Sequence, residues 1–425
     1  MKKDIELTSE LKYQLLRDIS HQIKGTLDLG KILNLLLDLL LNVIDYDAAG
    51  IFVLSEDINH PGFHSTKQKI ASMAQRGFGN LPLESDAMLM EGKGIIGQTI
   101  KSGKNIILND VTKDKRYIAG RLETQSEITT PILRDGKTIG ALNVESDKLA
   151  AFDTKDIDVL NFFAEASAIS IEKALLHYQI IEKQKIEEQL QLAKDVQISL
   201  LPISDPEVKG YLFSSICIPA FEIGGDYFDY INIDENNLGI VVSDVSGDGV
   251  PAALIMAAFR ALLRYSSKLF LSPSKLMEHM NENVAEFMRK RDFISIFYGV
   301  INFKTHTFSY CNCGHNPPLF FESGKINFLE SCGPSLNLIK NVEYYTSQIK
   351  LGKNDQIILY TDGVVEVFNK EKNQFGLDRL IKLFKSNSNR SPKEIIDIVT
   401  QATRDFSYQG VYKDDFTLLV LKKTE

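Results

Sequence analysis

Residues 238–264 read LGIVVSDVSGDGVPAALIMAAFRALLR and hold the pattern that best predicts the fold of the second half of the chain. An apolar run leads to Asp244, a glycine-containing turn follows, and an apolar helical segment begins after Gly249. Catalytic groups usually lie where a rigid strand meets a loop, and nearby glycine lets the backbone approach a ligand. The stretch therefore predicts a strand, a functional turn that carries Asp244, and a helix.

Three more aspartates stand out, and two of them, Asp362 and Asp414, also lie where a strand meets a loop. Asp226 lies in GGDYFDY, Asp362 follows the apolar run IILY, and Asp414 precedes the strand-like run FTLLVLK. If these strands are neighbours, the carboxylates converge at one edge of a sheet sandwich and repel one another unless a counter-charge is present. A divalent cation removes that repulsion, and ligands that are all oxygen favour Mg²⁺ or Mn²⁺ over Zn²⁺. A single aspartate in such a turn is more often structural, so the prediction depends on the whole set.

The rest of the second half predicts a sheet sandwich with helices outside it. Strand-like runs include LFSSICIPA, SIFYGVINF, TFSYCNC and PLFFES, and helical signals include SPSKLMEHMNENVAEFMRK and LDRLIKLFK. A last helix is expected at Ser391-Pro392, because proline is well tolerated in the first turn of a helix.

The first half predicts an α+β domain, with helices on one side of an antiparallel sheet. A helical pattern runs from about Glu10 to Ile44, and the strand-like runs AAGIFVLS, KIASMAQ and NIILNDV follow it. Asp135-Gly136, between two further apolar runs, predicts a hairpin. A closing helix is expected from Asp153, a candidate N-cap.

Three segments of this half resemble a GAF domain over roughly residues 11–175: GKGIIGQTIKSGKNIILNDVTKDKRYI, SEITTPILRDGKTIGALNVES and FDTKDIDVLNFFAEASAISIEKA. The resemblance implies a ligand-sensing or dimerising module. A small-molecule ligand and a purely structural role both stay open. This half contains no cysteine, which excludes thioether attachment of a bilin. Asn143 is followed by Val144, where cyclic-nucleotide-binding members carry lysine.

Residues 172–201 predict a charged helix that joins the two halves and pairs two copies of the chain as a homodimer. The predicted coiled-coil seam consists of Ile186, Leu190, Ala193, Gln197 and Leu200, spaced by four and three residues. The seam is imperfect, because its register meets Lys183 further back, and Pro202 ends the helix. A solvated amphipathic helix packed on its own chain is the alternative.

The second half also resembles a known family. GGDYFDY, VVSDVSGDGVPAAL, NCGHNPP, LYTDGVVE and DDFTLLV occur in this order. They resemble the catalytic domain of the stage II sporulation E and RsbU type, a branch of the metal-dependent PPM (type 2C) phosphatases. The resemblance covers about residues 192–423. It implies an α/β/β/α sandwich, placed here at 202–423, and hydrolysis of phosphoserine or phosphothreonine on a protein by water.

The resemblance also implies residue roles. Asp244 would bridge two Mg²⁺ or Mn²⁺ ions, with the carbonyl of Val245 as a further ligand, and Asp362 and Asp414 would ligate the other ion. Asp226 would hold water at the metals, directly or through a second layer of contacts. These four aspartates are the predicted catalytic residues. Whether the adjacent Asp415 contributes to the metal site stays open.

Two other patterns have simpler explanations. His315, in GHNPP, suggests a catalytic base, but a tight turn after a buried strand explains it and the metal mechanism needs no histidine. Cys311 and Cys313 suggest zinc, but their alternation within a strand-like run favours two buried thiols.

Partners follow from the resemblance alone. It implies a phosphorylated anti-anti-sigma (STAS) protein as substrate and a sensor domain that regulates its hydrolysis. Two alternatives stay open: a catalytically silent switch that binds a partner, and a phosphatase or phosphodiesterase that acts on a small molecule.

Composition narrows the class of protein. The chain has 425 residues, of which 44% are hydrophobic and 24% charged, with a net charge of −8. This acidic balance argues against nucleic-acid binding and against adsorption to anionic lipid. Four cysteines indicate a reducing compartment rather than a disulfide scaffold. The N-terminus lacks the apolar run of a signal peptide, and the most apolar stretch is too short to span a bilayer. We therefore expect a cytoplasmic protein.

Overall fold

The computed structural model describes residues 8–23, 28–54, 70–78 and 92–425, which divide into a first unit that ends at Lys185 and a second that begins at Ile186. The elements of the first unit are α1 (Ser9–Ile23), α2 (Leu29–Leu40), β1 (Ala48–Leu54), β2 (Ile70–Arg76), α3 (Gly94–Ser102), β3 (Ile106–Leu108), β4 (Ser126–Arg134), β5 (Lys137–Ser146) and α4 (Thr154–Leu200), which continues into the second unit.

The sheet of the first unit is antiparallel, with strand order β2-β1-β5-β4-β3. The predicted hairpin joins β4 to β5, and both Asp135 (φ 50°) and Gly136 (φ 76°) adopt the left-handed backbone that a tight two-residue turn requires. One face of the sheet packs on α2 and α4 through apolar side chains that include Leu33, Leu36, Ile128, Val144, Leu160 and Phe163. The α+β prediction is confirmed.

The predicted helical pattern from Glu10 to Ile44 is two helices rather than one. α2 has its own N-cap, because the side chain of Asp28 accepts a hydrogen bond from the backbone N–H of Lys31. Residues 24–27, which precede this cap, lie outside the described part of the chain.

The second unit contains ten strands and five helices among its described residues. They are β6 (Tyr211–Ile218), β7 (Tyr227–Asn232), β8 (Asn237–Val245), α5 (Gly249–Ser266), α6 (Pro273–Val284), β9 (Ile294–Asn302), β10 (Thr307–Cys313), β11 (Leu319–Glu322), β12 (Lys325–Phe328), β13 (Ser347–Lys350), β14 (Gln356–Tyr360), α7 (Asp362–Val365), α8 (Leu377–Ser386), α9 (Pro392–Phe406) and β15 (Phe416–Lys423). The short strands β7, β12 and β13 are absent from the sequence-based prediction.

These strands form two antiparallel sheets of five, ordered β13-β10-β9-β8-β7 and β12-β11-β14-β15-β6. Alternate residues of β14 face opposite sides: Ile357 and Leu359 pack toward the first of these sheets and its helices α5 and α6, whereas Ile358 and Tyr360 pack toward α8 and α9. The unit is therefore the predicted α/β/β/α sandwich. The start of α9 was also predicted correctly: Ser391 is the N-cap, Pro392 is the first helical residue, and Ser391 forms a capping box with Glu394.

No helix that the structure describes combines the length and the apolar content needed to cross a lipid bilayer.

Candidate active site

The four predicted aspartates lie at the ends of two antiparallel strand pairs. Asp226 directly precedes β7 and Asp244 lies near the end of β8, and these strands pair through Tyr227 and Ser243. Asp362 follows β14 and Asp414 precedes β15, and those strands pair through Tyr360 and Leu418. Antiparallel pairing places the end of one strand beside the start of the next. Each pair of carboxylates is therefore brought together by one strand pair.

Asp226 is the most deeply buried of the four, with 4% of its surface exposed. Its Oδ2 accepts hydrogen bonds from the hydroxyls of Thr361 (2.8 Å) and Thr417 (2.5 Å). Thr361 follows β14 and Thr417 lies in β15, so the second sheet fixes the orientation of a carboxylate carried by the first.

Asp415 holds the backbone around Asp226. Its two carboxylate oxygens accept hydrogen bonds from the backbone N–H groups of Ala220 (2.9 Å), Gly225 (2.7 Å) and Asp226 (3.3 Å). A Cβ at Gly224 would lie 2.0 Å from Asp415 Oδ2, so only glycine leaves room for this contact. The prediction left the role of Asp415 open. The structure uses its carboxylate to hold the loop that carries Asp226.

Gln197, in the last turn of α4, contacts the same loop. Its side-chain amide donates to the carbonyl of Gly224 (2.7 Å) and accepts from the N–H of Gly224 (3.1 Å). Gln197 is buried within its own chain, so it does not form part of a coiled-coil seam and that prediction is wrong for this residue. The contact joins the end of the connecting helix to the Asp226 loop.

Asp226 is buried, Asp244 and Asp362 are half-buried and Asp414 is exposed, and the four carboxylates are close enough to affect one another. Burial, followed by the charges of Asp362 and Asp414, raises the pKa of Asp244 to about 7. Burial and then the charge of Asp244 raise the pKa of Asp226 well above its usual value. The pKa values of Asp362 and Asp414 are also raised, chiefly by burial. Among the described residues, none of these carboxylates has a salt-bridge partner.

This donor set fits a hard cation in its chemistry. It consists of oxygen ligands, it carries like charges at close range, and the described residues supply no cation to balance them. The backbone carbonyl of Val245 lies at the same place, 2.8 Å from where a Cβ of Gly225 would stand. Within the described residues, however, no group of three or more His, Cys, Asp or Glu side chains stands ready to hold a metal ion as positioned here.

His315 lies behind this site. It is 5% exposed, its Nδ1 is 2.7 Å from the hydroxyl of Ser295, and Ser295 lies opposite Asp244 across β8 and β9. Burial lowers the pKa of His315 to about 4, so the imidazole is neutral near pH 7. Cys311 and Cys313 are buried free thiols in the core of the sandwich, as the strand pattern predicts.

Three residues that position the site were not predicted from sequence: Thr361, Thr417 and Gln197. Thr361 directly precedes Asp362, and Thr417 lies three residues after Asp414, between Phe416 and Leu418. A threonine near an aspartate is a weak signal by itself, and it gains meaning only when the two strands are paired. Gln197 occupied a predicted seam position, and spacing alone could not distinguish contact with its own chain from contact with a second copy.

Comparison with known proteins identifies both units. The model of the stage II sporulation protein E family matches residues 234–424, and a GAF domain model matches residues 26–172. Asp226 precedes the first of these ranges.

Curated proteins are also similar to parts of this chain. Phosphoserine phosphatase RsbU of Bacillus subtilis is 29% identical over 248 residues, which cover 57% of this chain and 72% of RsbU. Protein YtsP of the same organism is 33% identical over 119 residues, which cover 28% of this chain and 69% of YtsP. The chain spans 41% and 45% of the length of two further curated relatives.

Among solved structures, the SiaA-PP2C domain of Pseudomonas aeruginosa has the same fold. It superposes with a TM-score of 0.51 at 16% identity and covers 57% of this chain and 98% of that domain. The two family models thus place residues 26–172 of this chain in the GAF domain family and residues 234–424 in the stage II sporulation protein E family.

Proposed function

We propose that this protein is a metal-dependent protein serine/threonine phosphatase whose activity is regulated by its GAF domain. The observation that carries the proposal is the cluster of four aspartates at one end of the sandwich, whose pKa values are raised and which find no counter-charge among the described residues. The similarity to the phosphoserine phosphatase RsbU supports the same reaction class.

The aspartates would have separate roles. Asp244 with the carbonyl of Val245, and Asp362 with Asp414, would hold two Mg²⁺ or Mn²⁺ ions. Such ions, when bound, lower the pKa of water and neutralise phosphoryl charge. Asp226 would accept a hydrogen bond from the attacking water, in an orientation fixed by Thr361 and Thr417. Asp415 and Gln197 would keep the loop that carries Asp226 in place.

For the substrate we propose a phosphorylated anti-anti-sigma protein of the STAS type. The carboxylates that would hold the metal ions lie at strand ends, at one end of the sandwich. A phosphoserine on the surface of a folded protein can reach a site in that position. The alternatives are hydrolysis of a small-molecule phosphate ester and a silent partner-binding role. The full set of four aspartates favours an active enzyme over the silent switch.

The test measures Mn²⁺- and Mg²⁺-dependent phosphate release from an aryl phosphate, a phosphorylated STAS protein and a nucleotide. We expect release that requires metal, prefers the phosphoprotein, and falls at least about a hundredfold in Asp244→Asn. Asp397→Asn, which changes an exposed aspartate on α9, is the matched control and should keep full activity.

Each outcome separates the candidates. A preference for the nucleotide would indicate that the substrate is a small molecule rather than a protein. Metal-dependent release that survives Asp244→Asn would refute the assignment of this residue. If no phosphate is released with any substrate or metal, either by the full chain or after removal of residues 1–170, the result would favour the silent partner-binding role.

A further inference from the structure

Two glutamates face each other inside the first unit. Glu127 of β4 lies directly opposite Glu145 of β5, and they are 3% and 4% exposed. Their neighbours Ile128 and Val144 belong to the core packed on α2 and α4, so the two glutamates lie on the other face of the sheet. Like charges directly opposite each other in a sheet are destabilising, and burial increases the cost. The phosphatase site does not use this pair.

The hydrogen bonds of this pair are incomplete. Both oxygens of Glu145 are satisfied, because Thr124 donates to Oε2 (2.5 Å) and the amide of Asn143 donates to Oε1 (3.0 Å). Glu127 is different, since its Oε2 is buried and has no hydrogen-bond partner. Its Oε1 lies 3.2 Å from the hydroxyl of Thr129.

Thr129 cannot satisfy Glu127 fully. A hydroxyl has one proton to donate, and that of Thr129 lies nearer to the side-chain oxygen of Asn143 (2.7 Å) than to Glu127 (3.2 Å). A proton on Oε1 of Glu127 would instead be donated to Thr129. In that state Oε2 is still without a donor, so protonation alone does not complete the site.

Tyr117, in the loop before β4, is close enough to be affected by the charges of the same pair. Its hydroxyl is buried and makes no hydrogen bond of normal geometry, and burial and the charges of Glu145 and Glu127 raise its pKa, while an interaction with Thr124 lowers it. Arg121, whose charge acts on Glu145 and Tyr117, is bound to Asp147 (2.7 and 3.3 Å). Neither Glu127 nor Glu145 forms a salt bridge within the described part of the chain.

We propose that Glu127, Glu145 and Tyr117 form a binding site for a small organic cation that carries a protonated amine or a guanidinium group. Such a ligand supplies the N–H donors that Glu127 Oε2 and Tyr117 lack, and its charge offsets the carboxylate pair. The site gives the GAF domain a ligand of defined chemistry. It does not depend on the proposed phosphatase activity.

A divalent metal ion fits less well. Mg²⁺ and Ca²⁺ need six or more oxygen ligands, whereas Glu145 has already committed both oxygens to Thr124 and Asn143. One free carboxylate oxygen and one phenol favour a cation that binds through directed N–H groups.

The raised pKa values of the two glutamates also support a site for a cation. Burial, then the charge of Glu145 and to a smaller extent that of Asp114 raise the pKa of Glu127 to about 8, against a lowering effect of Thr129. The pKa of Glu145 is also raised by burial, against the opposing effects of Thr124, Asn143 and Arg121. At neutral pH a bound cation would therefore displace a proton from Glu127.

The test titrates the full chain with methylammonium and methylguanidinium, and with methanol and acetamide as neutral controls, by calorimetry in two non-amine buffers of different ionisation enthalpy. We expect one saturable site for at least one cation, release of about one proton at pH 7, and affinity that rises up to about tenfold per pH unit from 6 to 8. Glu127→Gln, which resembles the protonated acid in shape, should weaken binding at least tenfold.

Glu165→Gln, at an exposed position on α4, should bind like the wild type. The proposal is overturned by the absence of saturable binding of both cations at 50 mM, by equal binding to Glu127→Gln, or by equal binding of the neutral controls. Saturable binding of Ca²⁺ alone, lost in Glu127→Gln, would also overturn it in favour of a metal site. Phosphate release is not measured, so these outcomes are separate from those of the proposed function.

Discussion

At the scale of single residues, two adjacent carboxylates have different surroundings. Asp414 is exposed, whereas Asp415 is buried and accepts hydrogen bonds from three backbone N–H groups of the Asp226 loop. Sequence resemblance favoured Asp414 as the metal ligand, and it could not say what Asp415 does. The difference depends on the side of the chain to which each side chain turns.

Because of this difference, substitution of Asp415 should mainly lower stability, whereas substitution of Asp414 should mainly abolish activity. Asp415→Ala leaves buried N–H groups unsatisfied and should lower the free energy of unfolding of the second unit by about 2–3 kcal/mol. Asp414→Ala should change that free energy by less than about 1 kcal/mol and still abolish metal-dependent phosphate release. Urea denaturation of both variants, with phosphate release measured on the same samples, checks the pair. Equal loss of stability in the two variants would contradict the assignment.

Glu127 predicts a pH dependence of stability. Its pKa is raised from 4.5 to about 8 in the folded chain, so the folded state holds a proton that the unfolded state releases. The free energy of unfolding is therefore highest at low pH and falls as pH rises from about 4.5 to 8, by up to about 1.4 kcal/mol per pH unit from this residue. Denaturation of the first unit at pH 5, 6 and 7 measures the slope.

Glu127→Gln should flatten that slope because it removes the titrating group. The exposed Glu165→Gln should keep it. A slope that is the same in the wild type and Glu127→Gln would show that Glu127 titrates normally.

At the scale of elements, the end of α4 is tied to the loop before β7. Gln197 makes two hydrogen bonds to Gly224, two residues before Asp226. The loop is thus held from one side by Asp415 and from the other by the connecting helix. α4 begins in the core of the first unit, so a change there has a continuous helical path to this loop.

Gln197→Ala should lower phosphate release about tenfold, because small displacements of a catalytic group are costly. It should also raise the metal concentration needed for half-maximal activity. Gln191→Ala changes the same residue type at an exposed position of the same helix and should have neither effect. A fall in rate with unchanged metal dependence would indicate that Gln197 acts only on overall stability.

At the scale of the whole molecule, α4 also exposes apolar side chains that its own chain leaves uncovered. Leu176 (53% exposed) and Ile180 (54%) form one pair on successive turns, and Leu192 (66%) and Val196 (63%) form another. Ile186, which belongs to the predicted seam, is also exposed (56%), whereas Leu192 and Val196 lie outside that seam. We keep the proposal of a homodimer through residues 172–201, with these pairs as the contacts.

The double substitution Leu192→Ser and Val196→Ser should weaken this dimer at least tenfold, because it removes about two buried aliphatic side chains per copy. Sedimentation equilibrium of the full chain measures the dissociation constant. Gln184→Ser with Gln189→Ser, both at exposed positions, is the matched control. A chain that is monomeric in the wild type, or a dimer unaffected by the apolar substitutions, would exclude this interface.

The sequence alone determined the two-unit organisation, the fold class of each unit, and the four aspartates, three of them at strand ends. These features depend on local patterns: period-two burial of strands, glycine turns, and motifs that keep their order. The tertiary structure decided the roles of Thr361, Thr417 and Asp415, the inward orientation of Gln197, and the opposition of Glu127 to Glu145. Each of these depends on strand register or on a long-range contact. Residues far apart in the chain become neighbours only after the sheets have paired, so no local pattern records them.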